Sequence, residues 1–247
     1  MILQKLASAL RRQDWFQVMI EVLIVIVGIF LGLQVQAWNE QRVERIEEIE
    51  YLTRLHDDFT ESITTNDFNI QNAANQWEDG KKVIEMLDRC ELPDADRDLF
   101  ARGYHGAGKF LPIILNTTTI DELNSTGKYQ IIQNVALRKE MSEHLQEVDR
   151  LSNIFRMVND NIVPHTNIVE KYVSYNIHER DPRLPDPPVT WDSLVIDFDG
   201  VCKSDEFKKS YSHIFLYVNG VFSIGHPTMD KQREIVKMLE AELQKFQ

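Results

Sequence analysis

Residues 22–33 read VLIVIVGIFLGL, twelve apolar residues without a polar interruption. A helix of this composition has no face to offer water, so it must be buried in protein or in lipid. Twelve residues fall short of the roughly 20 needed to cross a bilayer. The flanks extend the run, with Trp15, Phe16, Val18, Met19 and Ile20 before it and Val35, Ala37 and Trp38 after it. Trp15 and Trp38 are separated by about 35 Å at the helical rise of roughly 1.5 Å per residue, which suits a pair of interfacial aromatic anchors. The segment 15–38 is therefore expected to be a transmembrane helix.

Charge sets the expected orientation. Lys5, Arg11 and Arg12 precede the span, and acidic residues outnumber basic ones after it. The positive-inside rule then puts residues 1–14 in the cytoplasm, as a short amphipathic segment, and residues 39–247 outside. For a bacterial chain this means an inner-membrane anchor with a periplasmic C-terminal domain. Two rival readings exist. A buried core helix of a soluble protein would need a polar or partnered side that this run lacks. A cleaved signal peptide would use Val35-Gln36-Ala37 as a small-x-small site, but Glu21 abuts the apolar core and helix-favouring sequence continues past the site. The net charge of −12 speaks against a nucleic-acid partner, because phosphate binding needs clustered cations.

Within the span, Glu21, Gly28 and Gly32 fall within about 40° of one helix face at 3.6 residues per turn, and Gln36 lies close by. Glycines spaced four apart let a second helix approach closely, and a carboxylic acid near the bilayer edge favours a partner. The expected partners are the bilayer itself and either a second copy or another membrane protein. The alternative is that Glu21 reaches the headgroups and the glycines are incidental.

The run Glu21-Val22-x5-Gly28-Ile29-x3-Leu33-Gln34-x3-Trp38-Asn39-Glu40 resembles the N-terminal signature of a bacterial domain-of-unknown-function family, whose members read GEI-x-LV-x-x-GI-x-IALQ-x-x-NWNE. A second block, Thr119-Ile120-Asp121-Glu122-Leu123-Asn124-Ser125-Thr126-Gly127-Lys128 followed by Ile131, Ile132, Asn134, Leu137 and Arg138, resembles that family's ELKSSG…LI…N…LR segment. The chain departs from the pattern at Ile20, where Gly is usual, and at Gly32, commonly Ala. The resemblance implies a single-span, mostly helical protein and no activity.

Past the span the pattern is helical. Ile49, Leu52, Leu55, Phe59 and Ile63 form one apolar stripe. A second helix is expected over 67–89, and a short third from Pro93 and Asp94 to about Gly103, with 103–112 a loop. Thr119 and Glu122 fit a capping box, and Gly127 a helix end. Met141, Leu145, Val148, Leu151, Phe155, Val158 and Ile162 give the longest clean stripe, expected to break at Pro164 and resume to about Tyr175. Residues 180–190 hold four prolines and cannot be helix. Two closing helices, 205–222 and 228–246, are expected either side of Gly225-His226-Pro227, and the best strand candidate is 194–198. The fold class expected is all-α, an antiparallel bundle with little strand.

Motifs that resemble chemistry fail on context. Asp197-Phe198-Asp199-Gly200 after Leu194-Val195-Ile196 resembles the first motif of haloacid-dehalogenase-type phosphatases, but too little chain follows to build the parallel α/β domain that motif needs. As a calcium loop the same stretch has Val195 where the first ligand belongs. Gly103-x4-Gly108-Lys109 matches a P-loop until Phe110 replaces the Ser or Thr that binds magnesium. The seven histidines show no HxH or HxxxH spacing. No enzyme, metal or cofactor is therefore expected. Cys90 and Cys202 can form one disulfide in an oxidising compartment or stay as two thiols. The leading expectation is a membrane-anchored, non-enzymatic interaction module. The alternative is an extracytoplasmic ligand-sensing domain acting through a partner, since so short an inner segment holds no output domain.

Overall fold

The computed structural model describes residues 15–109, 111–176 and 189–246. The fold is all-α. Among the described residues six α-helices are α1 (Trp15–Arg89), α2 (Arg97–Gly106), α3 (Thr118–Ser125), α4 (Val135–Glu170), α5 (Phe198–Lys203) and α6 (Asp205–Gln244). One two-stranded antiparallel ribbon joins β1 (Val173–Tyr175) to β2 (Leu194–Ile196). The expected amphipathic segment 1–14 and most of the proline-rich 180–190 lie outside the described residues.

The chain divides into two units, Met1–Tyr51 and Leu52–Gln247. In the first, α1 is one uninterrupted helix whose apolar side chains from Met19 to Val35 are exposed. It passes through Val35-Gln36-Ala37 without a break.

In the second unit, three long helical stretches make the frame, and side-chain pairs give their directions. Along α4 and α6, Asn134 meets Glu242, Glu140 meets Lys231, and the rings of His165 and His213 stack 4.7 Å apart. Numbers rise along α4 as they fall along α6, so the two are antiparallel. Asp67 with Arg233, Asn66 with Gln232, and Trp77 with Phe215 give the same relation between α1 and α6. Phe59 of α1 lies 5.9 Å from His144 of α4, both near the same end, so these two run parallel.

Parallel neighbours need a return connection as long as the bundle. Residues 90–134 supply it and descend alongside α1: Gly106 lies by Gln76, Pro112 by Asn69, Asn116 by Ser62, and Glu122 by Arg54. The middle of this return, residues 111–117, is extended strap rather than helix. Its backbone groups do not bond to each other, and α1 meets those of Ile114 and the amide of Asn116. The Asn66 amide donates to Ile114 O (2.7 Å) and its Oδ1 accepts from Ile114 N (2.9 Å), while Ser62 Oγ accepts from Asn116 N (2.8 Å). Ser62, Asn66 and Asn69 are buried at i, i+4 and i+7, so they form one polar stripe on a helix that is otherwise apolar inward.

That stripe explains the first departure from expectation. The sequence reads as two helices parted near residue 64, yet α1 is unbroken to Arg89. Ser62 and Thr64 bond back to the carbonyls of Asp58 and Thr60 inside the helix, and Asn66 is spent on the strap and on Gln232. Polar residues that mark a turn when solvated serve here as buried partners. The two prolines are a second departure. Pro164 lies inside α4 and Pro227 inside α6, neither ending its helix. An interior proline costs about 3 kcal/mol, which the core contacts of Ile162 and Val169, and of Met229 and Ile235, offset on either side. A third is the capping of α3, which starts at Thr118 rather than after Thr119. The carboxylate that receives the Thr119 N–H (3.0 Å) is Asp58 of α1, not Glu122, which instead pairs with Arg54. Gly127, at φ 70°, does end that region as expected. Finally, residues 173–175 pair as strand with 194–196 instead of extending α4.

The core has two halves. Near the α1 end at Leu52 it is aliphatic, with Leu55, Ile120, Leu123, Leu137, Met141 and Leu239 fully enclosed. At the far end it is aromatic: Phe100, Tyr104, Phe207, Tyr211 and Phe215 pack in series. Burial raises the Tyr104 and Tyr211 hydroxyls well above the ordinary range, so both stay protonated and donate, Tyr104 to Val169 O (3.0 Å) and Tyr211 to Gly103 O (2.9 Å). Gly103 is the contact point of α2 on α1. A Cβ there would sit 2.7 Å from Val83 Cγ2 and 3.0 Å from the Asp79 carbonyl. Gly103→Ala is expected to push α2 off α1 and cost about 1–3 kcal/mol by overpacking, measured by denaturant unfolding of the full chain, whereas the exposed Arg97→Ala should stay within about 0.5 kcal/mol.

Candidate functional site

The span face comes first. Gly28 and Gly32 have nothing within 4 Å of a would-be Cβ, so their side of α1 is open to a close neighbour. Glu21 lies on the same side, about two turns earlier. Gln36 stands beside this face and is engaged within the helix, donating to Glu40 Oε1 at 2.9 Å. Trp38 is exposed. Trp15 opens α1, and its side chain lies outside the described residues. One helix near the N-terminus is thus long and apolar enough to cross a membrane.

The cysteines, 112 residues apart, come together. Cys90 and Cys202 are bonded with Cα atoms 5.1 Å apart. Cys90 follows α1 directly in the left-handed region, at φ 54°, which turns the chain so that its side chain meets α5. The bond ties the end of α1 to the start of the α5–α6 segment beneath the aromatic core.

The chemistry-like motifs take structural roles. Asp197 caps α5, its Oδ1 accepting from Gly200 N at 3.1 Å. Gly103 and Gly106 of the P-loop-like run lie inside α2 as packing contacts, and Phe110 lies outside the described residues. Among the described residues no three His, Cys, Asp or Glu side chains gather to hold a metal.

A polar cleft is the feature sequence reading missed. It has a volume of about 480 Å³ and lies between α1, which contributes Asn72, Asn75, Gln76 and Asp79, and α2, which contributes Arg102 and His105. The signal was present: Asn72, Asn75, Gln76 and Asp79 recur at helical spacing. What the sequence does not say is that α2 returns against that face. Arg102 Nε donates to Asp79 at 3.2 Å. His105 meets Lys109 Nζ at 2.8 Å and the Tyr175 hydroxyl at 3.3 Å. Burial and the nearby Glu170 carboxylate raise the Tyr175 hydroxyl. The set can donate and accept hydrogen bonds to a small polar molecule. It lacks a nucleophile paired to a base.

Deeper in the bundle, His144 is 1% exposed, and neither ring nitrogen has a hydrogen-bond partner among the described residues. Burial, with the Lys231 charge adding to it, lowers its pKa to about 4. It is a neutral ring packed on Phe59.

Comparison with family models, with curated proteins and with solved structures returns no match to this chain.

Two measurements follow from these features. Reduction of the Cys90–Cys202 bond, or Cys202→Ser, should lower stability by about 2–5 kcal/mol, because the bond closes a long loop in the unfolded chain; a change below 1 kcal/mol would show that the core alone holds α1 to α5. His144 also sets an acid limit. Its folded pKa lies below its unfolded one, so the unfolded chain binds the proton first. The corresponding stability is full above pH 6.5 and is lost as the pH falls through about 4, up to about 3 kcal/mol. His144→Leu should flatten that part of the stability profile relative to the parent chain.

Proposed function

We propose that this protein is a membrane-anchored, non-enzymatic interaction or assembly module. Residues 15–38 hold it in the bacterial inner membrane, residues 1–14 face the cytoplasm, and residues 39–247 fold in the periplasm. The observation that carries this reading is the exposed apolar stretch of α1 with an open glycine face, a surface suited to lipid and to another helix. Two further features support it. The Cys90–Cys202 bond fits an oxidising compartment, and the basic residues Lys5, Arg11 and Arg12 precede the span. The resemblance to a single-span, helical family of undefined activity points the same way. The process served is association, with the bilayer and with a second copy or another membrane protein, and without nucleic acid or cofactor.

A second reading, a periplasmic ligand-sensing domain acting through a partner, is favoured by the polar cleft between α1 and α2. Under it, Arg102 donates hydrogen bonds to a small polar solute, His105 donates or accepts one, and α1 transmits the occupied state.

A reporter that works only outside the cytoplasm, fused after Gln247, should be active, and the purified chain should begin before Trp15. Chemical crosslinking in native membranes should return adducts larger than one chain. A silent reporter, a mature start at Trp38, or monomer alone would each count against the module. For the second reading, a thermal-shift screen of small polar solutes should find a stabilising compound whose effect Arg102→Ala abolishes.

A further inference from the structure

The polar cleft has two unlike ends. On α1, Asn72, Asn75, Gln76 and Asp79 share one face of the helix, being three or four residues apart in turn or in pairs. On α2, Arg102 and His105 stand about one turn apart and line the cleft from the other side. The two helices run antiparallel here, since Arg102 meets Asp79 while Gly106 lies against Gln76. The cleft therefore has a charged end at Arg102 and Asp79 and an amide end at Asn72 and Gln76. Glycine keeps its walls close: a Cβ on Gly106 would sit 2.9 Å from Gln76 Cγ. The volume of about 480 Å³ suits a small solute.

The charged end is only partly used. Arg102 gives its Nε alone to Asp79 Oδ2, at 3.2 Å. Its two terminal nitrogens and Asp79 Oδ1 make no hydrogen bond among the described residues. A guanidinium so placed takes a carboxylate through paired N–H groups, and a carboxylate oxygen accepts from an ammonium. A pure anion in the cleft would meet Glu78 and Asp79 as well as Arg102. A pure cation would meet Arg102, with Lys109 beyond it, 2.8 Å from His105. A zwitterion satisfies both signs. Arg102 and Asp79 are in direct contact, so the two charges of the solute must also be adjacent, as they are around the α-carbon of an amino acid. Past that carbon the solute reaches amides. Asn72 and Gln76 make no side-chain hydrogen bond among the described residues, and Asn75 engages only its Oδ1, with Gln71 at 3.3 Å. We propose that the cleft binds a free α-amino acid with a hydrogen-bonding side chain. Its carboxylate lies on Arg102, its ammonium on Asp79, and its side chain among Asn72, Asn75 and Gln76. This assignment rests on the ligand-sensing reading above and gives that reading its ligand class.

The test is calorimetric titration of the full chain in mild detergent, with L-glutamine as the probe. L-Glutamine should bind. Its amide, which lacks the carboxylate, and its N-acetyl derivative, which lacks the ammonium, should each bind about tenfold more weakly, in line with hydrogen bonds to charged groups. L-Leucine, whose side chain makes no hydrogen bond, should also bind more weakly. Arg102→Ala should weaken L-glutamine about tenfold and leave its amide unchanged. Asp79→Asn should weaken L-glutamine similarly and leave the N-acetyl derivative unchanged. Such selective losses exclude misfolding, which would weaken every compound alike, and if either variant unfolds, the compound series on the parent chain decides. L-Glutamine that binds no more tightly than any one of the three comparison compounds overturns the proposal. If L-glutamine fails to bind while succinate, putrescine or glucose binds in a way that Arg102→Ala abolishes, the amino-acid assignment falls and the ligand-sensing reading stands. If none of these solutes binds, both fall.

Discussion

The bundle depends on how an extended backbone is kept dry. A strap of residues without internal hydrogen bonds runs against the buried side of α1, where each unmet amide or carbonyl would cost about 1–3 kcal/mol. Asn66 meets Ile114 at both its N–H and its carbonyl, and Ser62 meets Asn116. An asparagine can do this because its side chain presents an acceptor and donors with the geometry of a peptide group. With the strap fixed, α2 is set against the aromatic half of the core and α3 against the aliphatic half. The parallel arrangement of α1 and α4 follows, since only a return of this length lets them lie side by side.

The same polar stripe decided what was legible in the sequence. The apolar run, the all-α class, the α4 stripe from Met141 to Ile162 and a strand starting at Leu194 can all be read from the sequence, because each obeys one local rule; the expected strand 194–198 ends at Ile196, where Asp197 caps α5. The continuity of α1, α4 and α6 cannot be read in this way. Thr64, Asn66, Pro164 and Pro227 all signal interruption locally, and each is overruled: Asn66 by Ile114 and Gln232, distant in sequence, Thr64 by bonding back to Thr60 inside the helix, and the prolines by the buried core residues on either side of them. The capping of α3 by Asp58, from another helix, is invisible to a rule that looks three residues ahead. For the candidate sites, the open face of Gly28 and Gly32 is visible in the sequence because it lies on one helix. The polar cleft is not, because its two walls come from helices whose packing depends on Gly103 and Gly106, residues that alone suggest a flexible loop.

The two halves of the core solve different problems. The aliphatic half encloses a neutral histidine, His144, and its polar bonds lie around it, from Ser62 and Asn66 to the strap and from Asp58 to α3. The aromatic half carries hydroxyls inward, and Tyr104 and Tyr211 spend them on the carbonyls of Val169 and Gly103. Those bonds fix the rotation of α2 and the end of α4, and they sit next to the covalent tie between Cys90 and Cys202. The polar cleft, lined by Arg102 and His105 of α2, therefore lies beside a helix that these bonds hold in place.

The placement of α6 has a consequence for how the chain reaches this state. Its residues complete both halves of the core, pairing with α1 across 166 positions at Asn66 and Gln232. Contacts so distant in sequence cannot form until the C-terminal segment has been synthesised, and they make folding slow. Until then α1 and α4 expose the apolar sides that α6 later covers. Biogenesis must protect those surfaces for the whole time the chain is being made, and loss of the last helix would leave neither half of the domain able to persist alone.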